Sequence, residues 1–282
     1  MTTSIHPQVR IGHVHLLVAN LDNMTRFYRD VIGFKVTEQQ AQKVTFTADG
    51  HTPLLVLEQR EGLSLMPQRT TGLYHFAILL PDRADLARAL LHLAEQKVPT
   101  QGASDHGFSE ALYLNDPEGN GIEIYADRPR SEWEGRVEQV GTTGALQVED
   151  LLRAAAGNES WLGLPEQTII GHIHLHVGDL KEANQFFVGQ LGFKIEMSMA
   201  DHALFIAAGG YHHHIGLNTW AGSERPPANS TGLYLYSLLF PDSAVLNETI
   251  ARLRQLDIMV DTSTVHPTII DTTGSRIELR TT

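Results

Sequence analysis

The chain has 282 residues, of which 42% are hydrophobic, and its 21 Lys+Arg against 33 Asp+Glu give a formal net charge of −12. This length suggests two domains. The acidic balance argues against nucleic acid, whose phosphates require a basic face, and against an anionic membrane surface. There is no cysteine, which excludes disulfides, thiolate nucleophiles and iron–sulfur clusters. A transition metal would therefore need imidazole and carboxylate ligands, and the chain has 15 histidines.

The start of the chain, MTTSIHPQVR, has no apolar signal core. No apolar run approaches the roughly 20 residues that a membrane span requires. We therefore expect a cytoplasmic protein without a membrane segment, and we expect it to form a homo-oligomer.

The first quarter of the chain predicts one strand, one helix and three short strands. The segment GHVHLLV alternates and is typical of a strand. A helix is predicted from the cap at Asn20–Asp22 to Gly33, with apolar residues at helical spacing between them. The following short strands are predicted over Phe34–Thr37, Val44–Thr47 and Leu54–Leu57.

The next segment repeats this order of elements. A strand is predicted over Tyr74–Leu80 and a helix over Ala84–Glu95. Strands around Ala111–Leu114 and Gly121–Tyr125 close the segment. The pattern is βαβββ, and it occurs twice within about 120 residues.

The chain also contains an internal duplication. IGHVHLLVANLDNMTRFYRDVIGFKV, from Ile11, aligns with IGHIHLHVGDLKEANQFFVGQLGFKI, from Ile170, with 11 of 26 positions identical at an offset of 159. Two more pairs follow in the same order: GLYHFAILL with GLYLYSLLF, and DPEGNGIEIY with DTTGSRIELR. Self-similarity of this kind indicates a repeated architecture.

The duplication predicts an α+β fold of four βαβββ modules. The two halves are expected over 9–127 and 168–282, with two modules in each. The polar, irregular segment 128–167 between them is predicted to be a linker with a short helix over Val148–Ala156.

Two histidines and a glutamate in the first half are candidate metal ligands. His13 and His75 open the first strands of modules one and two, and Glu123 lies in the last strand of module two. If the two modules of one half face each other, their opening strands lie side by side and all three side chains reach one cleft. Two imidazoles and one carboxylate leave three coordination positions open on one face of the metal. By alternation Glu123 faces away from Ile122 and Ile124, towards either a cleft or solvent.

At this point the chain resembles the vicinal oxygen chelate superfamily, which includes glyoxalase I, bleomycin-resistance proteins and extradiol ring-cleavage dioxygenases. The segment HGFSEALYLNDPEGNGIE, which starts at His106, resembles the extradiol dioxygenase signature through its His, Tyr, Asp-Pro, Gly and final Glu. Ser104, two residues before that His, is a small departure. The chain is most similar to catechol 2,3-dioxygenase-like proteins of the two-repeat type.

The resemblance implies two paired vicinal oxygen chelate domains and an Fe(II)-dependent cleavage of catechol-type aromatics. It implies that His13, His75 and Glu123 hold Fe(II), with Mn(II), Ni(II) or Zn(II) as alternatives. It also implies that His106 and Tyr113 lie near the bound diol. The expected partners are a small aromatic diol and O2.

The resemblance further implies a histidine on the fourth strand of the metal-bearing domain's first module. In the first half that place falls on Thr52–Leu54, which contains no histidine, whereas the second half has His212, His213 and His214 there. His51 or His15 is a possible substitute. His15, His174 and His176 are otherwise expected to pack near the site.

The second half shows the opposite deficiency. It keeps His172 and Glu278 but has Leu235 where the first half has His75. Since leucine cannot bind a metal, the first half is the favoured site. A rival second-half site would combine His172, Glu278 and one of the three consecutive histidines, and that half could otherwise be purely structural.

Two other functions stay open. One is a glyoxalase-like lyase or isomerase with four protein ligands, in which Glu58 could supply the fourth. The other is a drug-binding resistance protein that uses the cleft without catalysis.

Overall fold

The structure is a computed structural model and describes residues 4–158 and 160–282. Its strands are β1 (Arg10–Val18), β2 (Lys35–Gln39), β3 (Lys43–Thr47), β4 (Leu55–Gln59), β5 (Gly72–Leu80), β6 (Thr100–Asp105), β7 (Ser109–Asn115), β8 (Gly121–Asp127), β9 (Gly144–Ala145), β10 (Ile169–His176), β11 (Lys194–Met199), β12 (Ala203–Ala207), β13 (Ile215–Asn218), β14 (Gly232–Phe240), β15 (Thr268–Ile270) and β16 (Arg276–Thr281). Its α-helices are α1 (Leu21–Arg26), α2 (Arg83–Glu95), α3 (Val137–Val140), α4 (Val148–Arg153), α5 (Leu180–Asn184) and α6 (Ser243–Gln255).

The helices begin and end where short polar side chains and glycine allow it. The Asn20 side chain accepts a hydrogen bond from the Asn23 N–H at the start of α1, and the Asp82 side chain caps α2 in the same way. A π-helical turn over Phe27–Ile32 extends α1 to Gly33, whose φ of 92° needs no Cβ. The α+β fold class is confirmed, and the structure has helices α1, α2 and α4 at the places where the sequence predicts helices.

Two curled sheets carry the modules. One, called here the terminal sheet, has the strand order β15-β16-β14-β1-β4-β3-β2 and combines modules one and four. The other, the middle sheet, has the order β11-β12-β13-β10-β5-β8-β7-β6-β9 and combines modules two and three. Each sheet thus draws one module from each repeat.

This pairing corrects the expectation that modules one and two face each other. The opening strand of module one, β1, pairs antiparallel with β14, and β5 of module two pairs antiparallel with β10 of module three. The opening strands of the two repeats have nearly the same sequence, so either of them could pair with the opening strand of module two. The local sequence therefore does not specify which copy pairs with which.

The linker contributes to the middle sheet rather than only connecting the halves. Its short strand β9 pairs with β6. Trp133 and Val137 pack with Phe108 in a small buried cluster beside that sheet. Among the described residues, no helix is long and apolar enough to cross a membrane.

Each repeat contains one buried tyrosine–aspartate contact that joins a helix or strand to the turn before a closing strand. The Tyr28 hydroxyl donates to Asp116 Oδ2 over 2.7 Å, and the Tyr236 hydroxyl donates to Asp271 Oδ2 over 3.1 Å. Burial raises the pKa of both carboxyls, against the effect of the hydrogen bonds that they accept. The first contact crosses between the two sheets, because Tyr28 belongs to module one and Asp116 to module two.

We predict that Tyr28→Phe destabilises the fold by about 1–2 kcal/mol, because it leaves a buried acceptor short of one donor. Tyr236→Phe is the matched variant in the other repeat and should cost a similar amount. Urea unfolding followed by circular dichroism measures both. An unchanged unfolding midpoint in both variants would contradict this account.

Candidate active site

Three neighbouring strands of the middle sheet bring two imidazoles and a carboxylate to one face. Ala77 on β5 lies opposite Glu123 on β8 and opposite His172 on β10. Cross-strand partners share a face, so the small Ala77 side chain separates the two. His75, two residues before Ala77, lies on that face as well.

The three side chains converge on one point. Nε2 of His75 lies 3.0 Å from Glu123 Oε2, and Nε2 of His172 lies 3.1 Å from the same oxygen. One ligand atom from each residue lies within 4.8 Å of the others, and all three residues are buried. Within the described part of the chain, the buried His75 Nε2 has no hydrogen-bond partner of acceptable geometry.

The electrostatics of this group suit a cation. Burial opposes ionisation of Glu123, but the imidazoles of His172 and His75 hold the pKa of its carboxyl well below the usual range. Burial lowers the pKa of His172 to about 4, against the raising effect of Glu123. At neutral pH the site therefore offers a carboxylate and a neutral His172 imidazole, the protonation states that metal binding requires.

This donor set fits a divalent transition metal. A buried carboxylate without a cation is costly, and a metal would compensate its charge while also engaging the unpartnered His75 nitrogen. Two histidines and one carboxylate are the ligands of many non-haem Fe(II) oxygenases. His75, Glu123 and His172 are the residues that would hold the ion.

His13 does not join His75 and Glu123, which corrects the ligand set expected from the sequence. Its strand β1 lies in the terminal sheet, where His13 Nδ1 shares a hydrogen bond of 2.9 Å with Ser237 Oγ. His172, its counterpart in the second repeat, occupies the place expected for it. The rival second-half site is not formed either, because Glu278 lies on β16 in the terminal sheet.

The terminal sheet contains an incomplete counterpart of the triad, in which one of the three ligand residues is replaced. Leu235 stands where His75 stands in the middle sheet, and Ser237 stands where Ala77 stands. Glu278 faces Ser237 in the register but pairs with Arg280 at 3.3 Å. In the terminal sheet, therefore, the first histidine is replaced by Leu235, His13 is bound by the Ser237 hydroxyl, and Glu278 is bound by the Arg280 guanidinium.

His106 and Tyr113 lie together at the edge of the triad. Tyr113 is directly opposite Glu123 in the β7–β8 register, and its hydroxyl lies 2.6 Å from His106 Nε2. His106 Nδ1 lies 3.0 Å from the Thr142 carbonyl, which can only accept, so Nδ1 carries the proton and Nε2 accepts from Tyr113. Burial, with Glu123 nearby, raises the pKa of Tyr113 well above its ordinary value, and the hydroxyl stays protonated.

The histidine expected on a fourth strand is supplied by the second repeat. His213 stands just before β13, the fourth strand of module three, and its ring lies 4.1 Å from that of His172. It lines the same cavity as His75 and Glu123, whereas His214 lines a separate small pocket. Burial lowers the pKa of His213 well below its usual value, so its imidazole is neutral.

His174 packs beside the triad, as expected, and is held by an amide. Its ring lies edge-on to His75 at 5.0 Å, and its Nε2 accepts a hydrogen bond of 2.9 Å from Asn218 Nδ2. His176 donates from Nδ1 to Asn218 Oδ1 over 2.6 Å. Asn218 therefore fixes two imidazoles on the wall of the cavity.

The other candidates from module one lie away from the triad. Glu58 lies on β4 of the terminal sheet, 3.1 Å from His15 Nε2. The position equivalent to Glu58 in module three is Asn218, which is not a carboxylate. His51 is exposed in the turn after β3, so neither it nor His15 supplies the fourth-strand histidine.

Two members of the triad, His75 and Glu123, line a cavity of about 980 Å³. Its walls combine the polar groups described above with apolar side chains, among them Leu73, Phe108 and Phe205. Thr142 and Thr143, from the segment interpreted as a linker, also line it. A concave, largely apolar chamber with a few convergent polar groups is typical of a small-molecule site.

Comparison with known proteins agrees with this geometry. Residues 10–124 match the family described as Glyoxalase/Bleomycin resistance protein/Dioxygenase superfamily. Catechol-2,3-dioxygenase of Bacillus subtilis (strain 168) is 48% identical over 265 residues, covering 92% of each chain. The chain belongs to this superfamily. Within it, the protein is a member of the extradiol ring-cleaving dioxygenases.

Other relatives of this extradiol dioxygenase match part of the chain. Biphenyl-2,3-diol 1,2-dioxygenase 3 of Rhodococcus globerulus is 31% identical over 120 residues, or 42% of this chain and 63% of that protein. The manganese-dependent 2,3-dihydroxybiphenyl 1,2-dioxygenase of Geobacillus genomosp. 3 is 30% identical over 123 residues, or 42% of this chain and 39% of that protein.

Solved structures share the fold of the extradiol dioxygenase described here. Glyoxalase I from Zea mays superposes with a TM-score of 0.58 at 14% identity, over 96% of this chain and 92% of that one. A Bacillus subtilis protein superposes with a TM-score of 0.69 at 13% identity, over 99% and 86%. These likenesses concern the fold alone.

We predict that His172→Ala abolishes tight metal binding, whereas its repeat counterpart His13→Ala leaves it unchanged. Loss of an outer partner of a metal ligand weakens affinity by about 10–100-fold, and loss of the ligand itself should exceed that. Metal content after Fe(II) loading and gel filtration measures both. Loss of metal from His13→Ala with retention in His172→Ala would reverse the assignment.

Buried histidines outside the triad predict acid sensitivity. Burial lowers the pKa of His13 to about 3, of His15 to about 4 and of His214 to about 3. The unfolded chain titrates these groups near 6.5, so below that pH it binds protons that the folded chain does not. The free energy of unfolding should therefore fall as the pH drops from about 6.5 towards about 3.

Each of these histidines adds about 1.4 kcal/mol per pH unit to that decline. His13→Gln should reduce the slope of the unfolding free energy against pH by the contribution of one titrating histidine. Urea unfolding of the metal-free protein at pH 7, 6 and 5 measures both slopes. Equal slopes for the variant and the parent protein would rule out this role for His13.

Proposed function

We propose that this protein cleaves catechol-type diols next to their hydroxyl groups, with O2 as co-substrate and Fe(II) as the metal. The observation that supports this most is the convergence of His75, Glu123 and His172 beside a cavity. His75 and Glu123 line that cavity, together with Tyr113 and His213. The 48% identity to a catechol-2,3-dioxygenase over most of the chain agrees with the proposed substrate class.

The three ligands would hold the ion on one side and leave the cavity side free. Bound there, the metal would lower the pKa of a diol hydroxyl and allow electrons to pass from the aromatic ring to oxygen. The protein's own contribution is to exclude bulk water from a buried carboxylate and to fix the imidazoles. Register with Ala77 sets the separation of Glu123 and His172.

The remaining polar residues handle protons. The diol must lose protons on binding, and the neutral imidazole of His213 on the cavity wall is the acceptor that we assign to this step. Tyr113 donates its one hydroxyl hydrogen to His106 Nε2, so its oxygen is free to accept a hydrogen bond from a hydroxyl of the diol. His106, half-buried, connects Tyr113 to the surface through its backbone contact at Thr142.

The alternatives weighed on the sequence lose support from particular residues. A four-ligand glyoxalase-like site is disfavoured because Asn218, not a carboxylate, occupies the place equivalent to Glu58. A binding protein without catalysis is disfavoured because Glu123 is buried between two imidazoles rather than turned to solvent. Mn(II) is the second candidate metal, since one relative is named as manganese-dependent. The cytoplasmic location and homo-oligomeric assembly stay predictions.

The direct test is anaerobic loading with Fe(II), followed by catechol and air in an oxygen electrode. We expect oxygen uptake together with a yellow ring-opened product, and we expect His75→Ala to lack both metal and uptake. The same protein loaded with Mn(II) compares the two metals. No oxygen uptake with a panel of catechols, in a protein that has retained its iron, would refute the proposal.

We predict that Tyr113→Phe lowers kcat by about 100-fold or more, with metal content unchanged, because it removes the hydroxyl that links the diol to His106 and leaves the three ligands in place. Steady-state oxygen uptake with metal analysis measures this. Tyr234→Phe, the same change in the terminal sheet, is the control and should have little effect. Equal kcat values for Tyr113→Phe and the parent enzyme would exclude the role.

A further inference from the structure

We infer that Asp127 and His212 form a positioning pair that fixes His213 as the tautomer with its proton on Nδ1 and the Nε2 lone pair directed to the cavity. This inference rests on the proposed function for its effect on turnover. The assignment of the tautomer rests on the hydrogen bonds among the side chains of Asp127, His212 and His213.

The carboxylate of this pair, Asp127, lies on the same strand as Glu123, whereas His212 precedes β13. Glu123, Tyr125 and Asp127 alternate along β8 and therefore share one face. Asp127 Oδ1 lies 2.9 Å from His212 Nε2, and His212 Nδ1 lies 2.9 Å from His213 Nδ1. The chain of contacts thus runs from the carboxylate through one imidazole to the next.

Counting protons sets the direction of these bonds. A carboxylate only accepts, so His212 Nε2 must carry the hydrogen that lies between it and Asp127. With one proton on each ring, His212 Nδ1 is bare, and its contact with His213 is a hydrogen bond only if His213 Nδ1 donates. The remaining nitrogen of His213, Nε2, is left as an acceptor for the cavity that this side chain lines.

Aromatic packing holds His212 in the one orientation that makes both contacts. Phe108 stacks on its ring at 4.5 Å with an interplanar angle of 15°, and Tyr211 lies at 4.0 Å on a tilted plane. Trp133 meets the ring edge-on at 5.5 Å, and His212 has no exposed surface. A rotated His212 ring would lose the contact with Asp127 or that with His213.

The consequence concerns the first proton transfer. A diol hydroxyl that enters the cavity can give its proton only to a lone pair. With Nε2 bare, His213 is an acceptor before substrate arrives and needs no prior exchange of protons with solvent. The alternative tautomer would present an N–H to the diol and could not accept.

Two variants separate this role from simple packing. His212→Asn keeps an oxygen that can accept from His213 Nδ1, whereas His212→Leu removes every acceptor at similar size. Both lose the imidazole stacking and the contact with Asp127. We expect His212→Leu to lower kcat by about 10–100-fold with KM and metal content unchanged, and His212→Asn to recover most of the loss.

The tautomer itself is read by ¹⁵N NMR of the histidine rings in the metal-free protein, with the His213 signals assigned by their loss in His213→Gln. We expect a protonated Nδ1 and a bare Nε2 on His213 in the parent protein and in His212→Asn, and loss of that preference in His212→Leu and Asp127→Ala. A parent His213 protonated on Nε2, a doubly protonated His212, or equal kcat values for the Leu and Asn variants would overturn the inference. Because the NMR measurement needs no turnover, an inactive protein with the expected tautomer would refute only the proposed function.

Discussion

The site depends on the antiparallel pairing of β5 with β10. That pairing places Ala77 opposite His172 and, through the parallel neighbour β8, opposite Glu123. Shifting either strand by one residue would turn the ligand side chains to the opposite face of the sheet. The metal-binding geometry is therefore a property of the register between two modules that come from different repeats.

Much of the architecture follows from local patterns. The alternation in GHVHLLV, the caps at Asn20 and Asp82 and the glycine after the first helix predict elements that the structure contains. Glu123, flanked by two buried isoleucines, turns to the opposite face, as alternation requires. The βαβββ pattern requires a strand where β6 lies but does not locate it, and β9 and α3 are not predicted, because these sequences have little apolar periodicity.

His75 and Glu123 come together as the sequence indicated, because β5 and β8 belong to one module and their pairing is local. His13 was the wrong third partner. The opening strands β1 and β10 have nearly the same sequence, and either could pair with β5. The sequence around them does not indicate which of the two long-range pairings forms. A signal was nevertheless present. Module three contains His172 and the fourth-strand His213, and module two contains His75 and His106. Only these two modules together hold all the histidines that the resemblance implies.

The same duplication allows the candidate site to be compared with the equivalent positions in the terminal sheet. In the terminal sheet a leucine replaces one imidazole, and Ser237 and Arg280 engage the two ligands that survive. His13 is hydrogen-bonded to the Ser237 hydroxyl and Glu278 is paired with the Arg280 guanidinium. Buried polar groups seldom stay unpaired, so these contacts stabilise the terminal sheet.

Because the sheets cross between repeats, neither repeat alone encodes a whole centre. During synthesis, the last wall of the cavity can form only after the chain has been extended beyond Asn218. The sheet of the first module is likewise incomplete until the C-terminal strands have been made. A chain reduced to one repeat would have only one of the opening strands β5 and β10, and could build the middle sheet only by pairing with a second chain. The candidate ligands are thus drawn from both copies, with His75 and Glu123 from the first and His172 from the second.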